Sequence, residues 1–414
     1  MKSHSIIKNH IANKLTLKSL TSNFFNFKKE RKIEFIDLAR QRKSRNSNGV
    51  KLENLIDKNI QNVFKHGKYI LGPEVNILEE KLRDFVGAKH CITVSSGTDA
   101  LLIALMSLNI KNGDEIITTP FSFISTAEVI ALLGAKPIFV DIDEKSYNID
   151  SKKIESKITK KTKAILPVSL YGQPANFKAI NKIGKKYKIP VIEDAAQSFG
   201  AAHNGAMSCN LSDIAATSFF PSKPFGCYGD GGACFTNNDD LAEKIRRISI
   251  HGQEKRYYHT EIGINGRLDS IQAAILLAKF EFYQIEIEKR SKLANLYNER
   301  LKSIGFHSTP FIYSENKSVY AQYTIQIQNR SDFQRELKTF GIPTAIHYPT
   351  ILPLQPALNS LEENSEIESL YKNAYEASKK VISLPFHPWL KIHEIDYITK
   401  KIEIIVSNDK SFLT

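Results

Sequence analysis

The residues able to do chemistry fall in three short runs, each following an apolar stretch. In Ser218-Phe219-Phe220-Pro221-Ser222-Lys223-Pro224, followed by Gly226 and Gly229-Asp230-Gly231-Gly232, a lysine sits in a Pro/Gly loop. A lysine withdrawn from water there has a lowered pKa and can form a Schiff base. Ser218, upstream in the same run, offers a hydroxyl to the same site. A lone lysine is also commonly a surface residue with a buried stem. In Pro190-Val191-Ile192-Glu193-Asp194-Ala195-Ala196-Gln197 an apolar strand delivers two carboxylates at its end. Burying one requires a partner, and a pyridinium nitrogen is suitable; capping the next turn is the plainer use of an Asp. In Val94-Ser95-Ser96-Gly97-Thr98-Asp99-Ala100 a strand ends and a helix begins. Free amides and the helix dipole make such a start an anion cradle, or simply a capped helix.

The surrounding pattern explains how these runs meet. Seven short apolar runs read as strands: 91–94, 115–118, 136–140, 164–168, 190–193, 215–219 and 232–236. Helical patterns alternate with them over 98–108, 125–133, 151–158, 177–187 and 239–250. This alternation predicts an α/β fold with a mostly parallel seven-stranded sheet. Functional groups in such sheets collect at the carboxyl ends of strands. Beyond residue 290 the helices 291–304, 332–341 and 371–380 accompany one alternating strand, 322–328, the pattern of a smaller α+β domain. The expected division is therefore a basic N-terminal extension over 1–32, a large domain over 33–285 and a small C-terminal domain over 286–414. A chain of 414 residues is long enough for two cores.

Net charge is +13, and residues 1–43, with 11 Lys/Arg against 3 Asp/Glu, hold +8 of it. The high pI therefore belongs largely to the N-terminus, and nucleic acid is not an expected partner. Residues 1–29 contain six Lys and no acidic residue; the segment reads as a disordered extension, with organellar targeting as the other reading. Cys91, Cys209, Cys227 and Cys234 lack metal or disulfide-scaffold spacing, and no HExxH or HxH occurs, so no metal site and a reducing, cytoplasmic setting are expected. The most apolar helix, 271–287, is interrupted by Lys279, Glu281 and Glu286. It is too short and too charged to span a membrane.

Taken together, SFFPSKPFGCYGDGG at 218–232 and VSLYGQP…IPVIEDAA within 168–196 closely resemble the DegT/DnrJ/EryC1/StrS family of nucleotide-sugar aminotransferases, enzymes of PLP fold type I. The resemblance spans residues 33–405. It implies that Lys223 carries pyridoxal 5′-phosphate (PLP), that Asp194 pairs with the pyridine nitrogen and that Gln197 bonds near the phenolic oxygen. It further implies that Gly97, Thr98 and Ser218 bind the phosphate and that Phe123 stacks on the ring. Asn265 and Arg267, in Asn265-Gly266-Arg267-Leu268-Asp269, would enter the neighbouring subunit's site in a homodimer, Asn265 at its phosphate and Arg267 at anionic substrate. His347 and Tyr348 would face the substrate. A His usual in the family shortly after this last motif is absent, with Pro353-Leu354 in that stretch.

His90–Thr93, Ser218–Gly232, His251-Gly252-Gln253 and Val319–Thr324 resemble the branch acting on a UDP-linked 3-oxo hexuronic acid. The expected reaction moves an amino group, from glutamate, to such a sugar in cell-surface polysaccharide or amino-sugar biosynthesis. A 4-keto-hexose aminotransferase is the alternative. Sugar dehydratases of the family typically lack the Schiff-base lysine, and a cofactor-binding regulator without turnover would not need both Lys223 and Asp194.

Overall fold

Short runs of β-branched and apolar residues are buried on both faces, which is what a covered parallel sheet requires. The computed structural model describes residues 33–358 and 366–412. The expected extension over 1–32 lies outside them. From Phe35 onward the chain forms one compact unit.

The strands are β1 His90–Val94, β2 Glu115–Thr118, β3 Lys136–Phe139, β4 Thr162–Leu166, β5 Ile192–Asp194, β6 Ile214–Ser218 and β7 Gly232–Thr236. Ladders join β3-β2-β4 in parallel, β5 to β6 in parallel, and β7 antiparallel to both β6 and β1. Parallel bridges Ile165–Val191 and Val168–Asp194 connect β4 to β5. The order is thus β3-β2-β4-β5-β6-β7-β1, and β7 alone runs against the rest. The mostly parallel seven-stranded sheet read from the sequence is present, with boundaries shifted by at most two residues.

The helices that position the site begin directly after these strands. Helix α1, Gly97–Ser107, follows β1; α2, Ser125–Leu132, follows β2; α3, Phe177–Tyr187, lies between β4 and β5. Ser96 caps α1 by accepting from the Asp99 amide at 3.0 Å, and Asn176 caps α3 by accepting from Ala179 at 3.1 Å. Each removes one orphan donor at a helix start. Helix α1 is apolar nearly all round and fills the core against β6 and β7, with Leu101, Ile103, Ala104 and Leu105 buried.

Two differences from the sequence reading have physical causes. The helices expected at 271–287 and 291–304 are one element, α4, Ser270–Ser303. No Gly or Pro interrupts it, and its internal charges Lys279, Glu286 and Arg290 are buried rather than helix-ending. The expected boundary at residue 285 falls inside this helix. The strand β8, Tyr323–Gln326, pairs antiparallel with a strand the sequence did not announce, β9, Val381–Leu384. Four residues with every side chain buried show no alternation, so the period-2 signal is missing.

Candidate active site

Strands β2, β4, β5 and β6 end on one edge of the sheet, and β7 begins there. Along this edge lies a cavity of about 470 Å³ lined by Gly97, Thr98, Phe123, Asp194, Gln197, Ser218, Lys223, His347 and Tyr348. These are nine of the eleven residues singled out in the sequence.

At the end of β5 successive side chains point to opposite faces. Asp194 faces the cavity. Its Oδ2 accepts from Thr126 Oγ1 on α2 at 2.8 Å and its Oδ1 from the Ala196 amide at 3.2 Å. Burial raises its pKa, opposed by those two hydrogen bonds and the charge of Lys223. Glu193 faces away and receives Ser169 Oγ at 3.0 Å, Ser208 Oγ at 2.6 Å and the Cys209 amide at 2.9 Å. Burial nevertheless pushes it up to about 7.

Lys223 sits in a loop that folds back on β6. Its amide donates to Phe220 O at 2.9 Å and Cys227 N donates to Phe219 O at 2.7 Å. Gly226 permits this fold, because a Cβ there would stand 2.5 Å from Phe220 O. Burial lowers the lysine's pKa, and the nearby Asp194 charge only partly restores it. The amine is therefore held closer to its neutral, nucleophilic form.

The start of α1 closes one end of the cavity. A Cβ on Gly97 would lie 2.5 Å from the Ser218 Cβ, so this glycine is what lets helix and strand end meet. The Gly97 and Thr98 amides precede the first intrahelical bond and point outward from the helix start. At the other side, Phe123 is 52% exposed although it lines the cavity; its ring centroid is 6.2 Å from that of Tyr348. Gln197 Oε1 accepts from the Tyr171 amide at 2.8 Å, and its Nε2 donates to the Tyr348 hydroxyl at 3.3 Å. Tyr171 also donates its hydroxyl to His347 O. His347 Nδ1 pairs with Ser383 Oγ on β9 at 2.9 Å. Burial, reinforced by the Lys223 charge, depresses His347 to about 4, so it is neutral at ordinary pH; burial raises Tyr348.

Asn265 and Arg267 are not in this cavity. Asn265 is exposed, Arg267 is half-buried beside Val94, and the Arg267 Nε is shielded from solvent without a hydrogen-bond partner. The Pro353 turn, Leu352–Leu354, packs back on the loop after β2, with Leu352 N donating to Pro120 O at 2.7 Å. Sequence reasoning missed Thr126, the partner of Asp194, and Tyr171, which holds both Gln197 and the His347 backbone. Thr126 carried no signal beyond an ordinary helix start. Tyr171 lies inside a quoted motif, and its positive φ of 55° is invisible in a residue type. Asp230 and Gln322 also line the cavity. Among the described residues no cluster of three or more His, Cys, Asp or Glu is placed to hold a metal.

The profile of the DegT/DnrJ/EryC1/StrS aminotransferase family matches residues 50–403. The chain belongs to this family. It is 54% identical to the UDP-2-acetamido-2-deoxy-3-oxo-D-glucuronate aminotransferase of Pseudomonas aeruginosa, over 88% of this chain and 98% of that protein. It is 44% identical to a pleiotropic regulatory protein of Geobacillus stearothermophilus, over 83% of this chain and 92% of that one. Among solved structures, a DegT/DnrJ/EryC1/StrS aminotransferase from Brucella abortus superposes with a TM-score of 0.83 at 38% identity, covering 90% of this chain and 99% of that one. The ntda protein of Bacillus subtilis, solved with the cofactor PMP bound, gives 0.83 at 30% identity, covering 92% and 86%. The α/β architecture is thus that of the family's PLP fold type I aminotransferases, as the motifs implied.

Proposed function

We propose that the protein is a PLP-dependent aminotransferase that moves an amino group from glutamate to a keto sugar carried by a nucleotide, a UDP-linked 3-oxo hexuronic acid. The observation that carries the reading is the pairing of Lys223 with Asp194 in one cavity, the first with its pKa lowered by burial and the second a buried carboxylate. The cavity fits PLP in each part. Asp194 supplies the anion for a pyridinium nitrogen, the Gly97 and Thr98 amides with Ser218 suit a phosphate, and the half-exposed Phe123 ring offers a stacking face. Gln197, already tied to Tyr348, would bond near the phenolic oxygen.

When bound, the cofactor supplies a carbonyl that exchanges amines and a ring that takes up an electron pair. The chain's residues do the rest. Lys223 would anchor the cofactor and move the proton at the reacting carbon. Asp194 keeps the ring nitrogen protonated. His347, neutral, and Tyr348 line the substrate side. The hexuronate reading is supported by the relative at 54% identity and its name.

We infer further that two copies share their sites, Asn265 reaching the partner's phosphate and Arg267 its anionic substrate. The exposed Asn265 and the unpaired Arg267 Nε support this. The division into a larger cofactor-binding part, 33–285, and a smaller part, 286–414, is supported by the separate β8–β9 sheet. The four free, buried cysteines suit a cytoplasmic enzyme.

A visible absorbance band for the bound cofactor, bleached by glutamate, is the expected first result. Borohydride trapping and peptide mapping should put the label on Lys223. Mass spectrometry over UDP- and dTDP-linked keto sugars should then return an amino sugar from the 3-oxo hexuronate. Label on another lysine, or turnover of a 4-keto hexose instead, refutes the respective part.

A further inference from the structure

Gln322 lies in Val319–Thr324, a motif whose use the reading above leaves unassigned. The chain is fixed tightly here. Val319 N donates to Gly172 O at 3.0 Å and Ala321 N to Tyr171 O at 2.9 Å. A Cβ on Gly172 would stand 2.7 Å from the amides of both Tyr320 and Ala321. The Tyr171 amide in turn holds Gln197. Thr324, two residues on, bonds Ser383 Oγ at 2.9 Å, the same hydroxyl that holds His347. Gln322 is thus seated between the two supports of the substrate side, and it lines the same cavity as Lys223, Gln197 and His347.

Its carboxamide oxygen finds no partner within the chain. Oε1 is shut off from solvent and has no hydrogen-bond partner. A buried carbonyl oxygen left unpaired is costly, and Met or Leu would fill this volume without that cost. The position therefore calls for a ligand that brings a hydrogen-bond donor. Glutamate does not: once its amine is bonded to the cofactor, what remains is two carboxylates, which only accept. A sugar does, through a ring hydroxyl or an N-acyl N–H beside the reacting carbonyl.

We propose that Gln322 selects the sugar acceptor: its carboxamide turns toward the cavity, Oε1 receives an O–H or N–H of the sugar ring, and the residue acts in the second half-reaction only. This rests on the aminotransferase reading above. It makes Gln322 a specificity residue and gives the Val319–Thr324 motif a role.

The test separates the two half-reactions. The holoenzyme is mixed with glutamate and its absorbance change followed; the aminated form is then mixed with the UDP-linked keto sugar. Gln322→Met should leave the rate and apparent affinity for glutamate within about twofold, which also shows that the variant folds and holds its cofactor. The sugar half-reaction should lose about tenfold in kcat/KM, the size expected for one hydrogen bond to an otherwise unpaired group. Calorimetric binding of the amino-sugar product should weaken by the same factor. Sugars lacking the ring hydroxyl or the N-acyl group should identify the donor: with the right one removed, wild type and variant become equal. Equal losses in both half-reactions would mark Gln322 as structural, and no loss in either would end the proposal. A wild-type protein that aminates no keto sugar nucleotide would instead overturn the aminotransferase reading.

Discussion

Glu193 and Asp194 are consecutive carboxylates with opposite surroundings. Asp194 has one side-chain donor and a cavity in front of it, whereas Glu193 is enclosed by Ser169, Ser208 and the Cys209 amide. The sequence shows that two acids end a strand, and the family resemblance picks Asp194. Alternation alone could not choose, because either face might hold the ligand. The environment of Glu193 yields a pH prediction. Its native pKa of about 7 lies above the ordinary 4.5, so between these values the native state binds more protons than the unfolded chain. Stability should then be greatest below about pH 4.5 on this account and fall as pH rises through 7. His347, depressed to about 4, acts in the opposite direction over part of this window, so the test is comparative: the Tm of wild type minus that of Glu193→Gln should decline by a few degrees between pH 5 and 8. A difference that does not fall with pH over this window would show that the three donors, not burial, decide the ionisation of Glu193.

At the scale of elements, the site is made by strand ends and by what starts next to them. The periodicity of the sequence located all seven strands within two residues and the start of α1 within one, because these are runs of buried apolar residues between clear breaks. It could not give the distance between α1 and β6, which are far apart in the chain. That distance hangs on Gly97, where an added Cβ would meet Ser218 Cβ at 2.5 Å. Ser218 ends a central, fully buried strand, so it cannot easily move. Gly97→Ala should therefore shift the start of α1 and separate its free amides from the Ser218 hydroxyl. The expected outcome is a cofactor affinity at least about tenfold weaker, since bonds to a charged phosphate contribute about 1.5–3 kcal/mol each. Equilibrium dialysis of the cofactor with fluorescence readout would measure it. An unchanged affinity would mean that the phosphate does not rest on these amides.

At the scale of the whole molecule, the proposed sharing of sites between two copies can be argued from charge. The cavity is lined by a single cationic side chain, Lys223, among the described residues. His347 is held neutral by burial. A sugar nucleotide with a diphosphate and a carboxylate needs further cationic groups. Arg267 is a candidate: it has no ion pair among the described residues, its Nε is without a partner, and it stands outside its own chain's cavity. If Arg267 enters a partner's site, then a dimer of Lys223→Ala and Arg267→Ala chains holds one site with both residues intact. Each homodimer has no such site. Co-expressing the two variants with different affinity tags and purifying through both should give heterodimers with up to about half of the wild-type activity, because one of two equivalent sites is whole. The separate variants, and an equal mixture kept from exchanging subunits, should remain inactive. Heterodimers proven by mass and still inactive would show that Arg267 acts within its own chain or not at all. The sign of the effect is specific to sharing, since two defects in one self-contained site per chain could not repair each other.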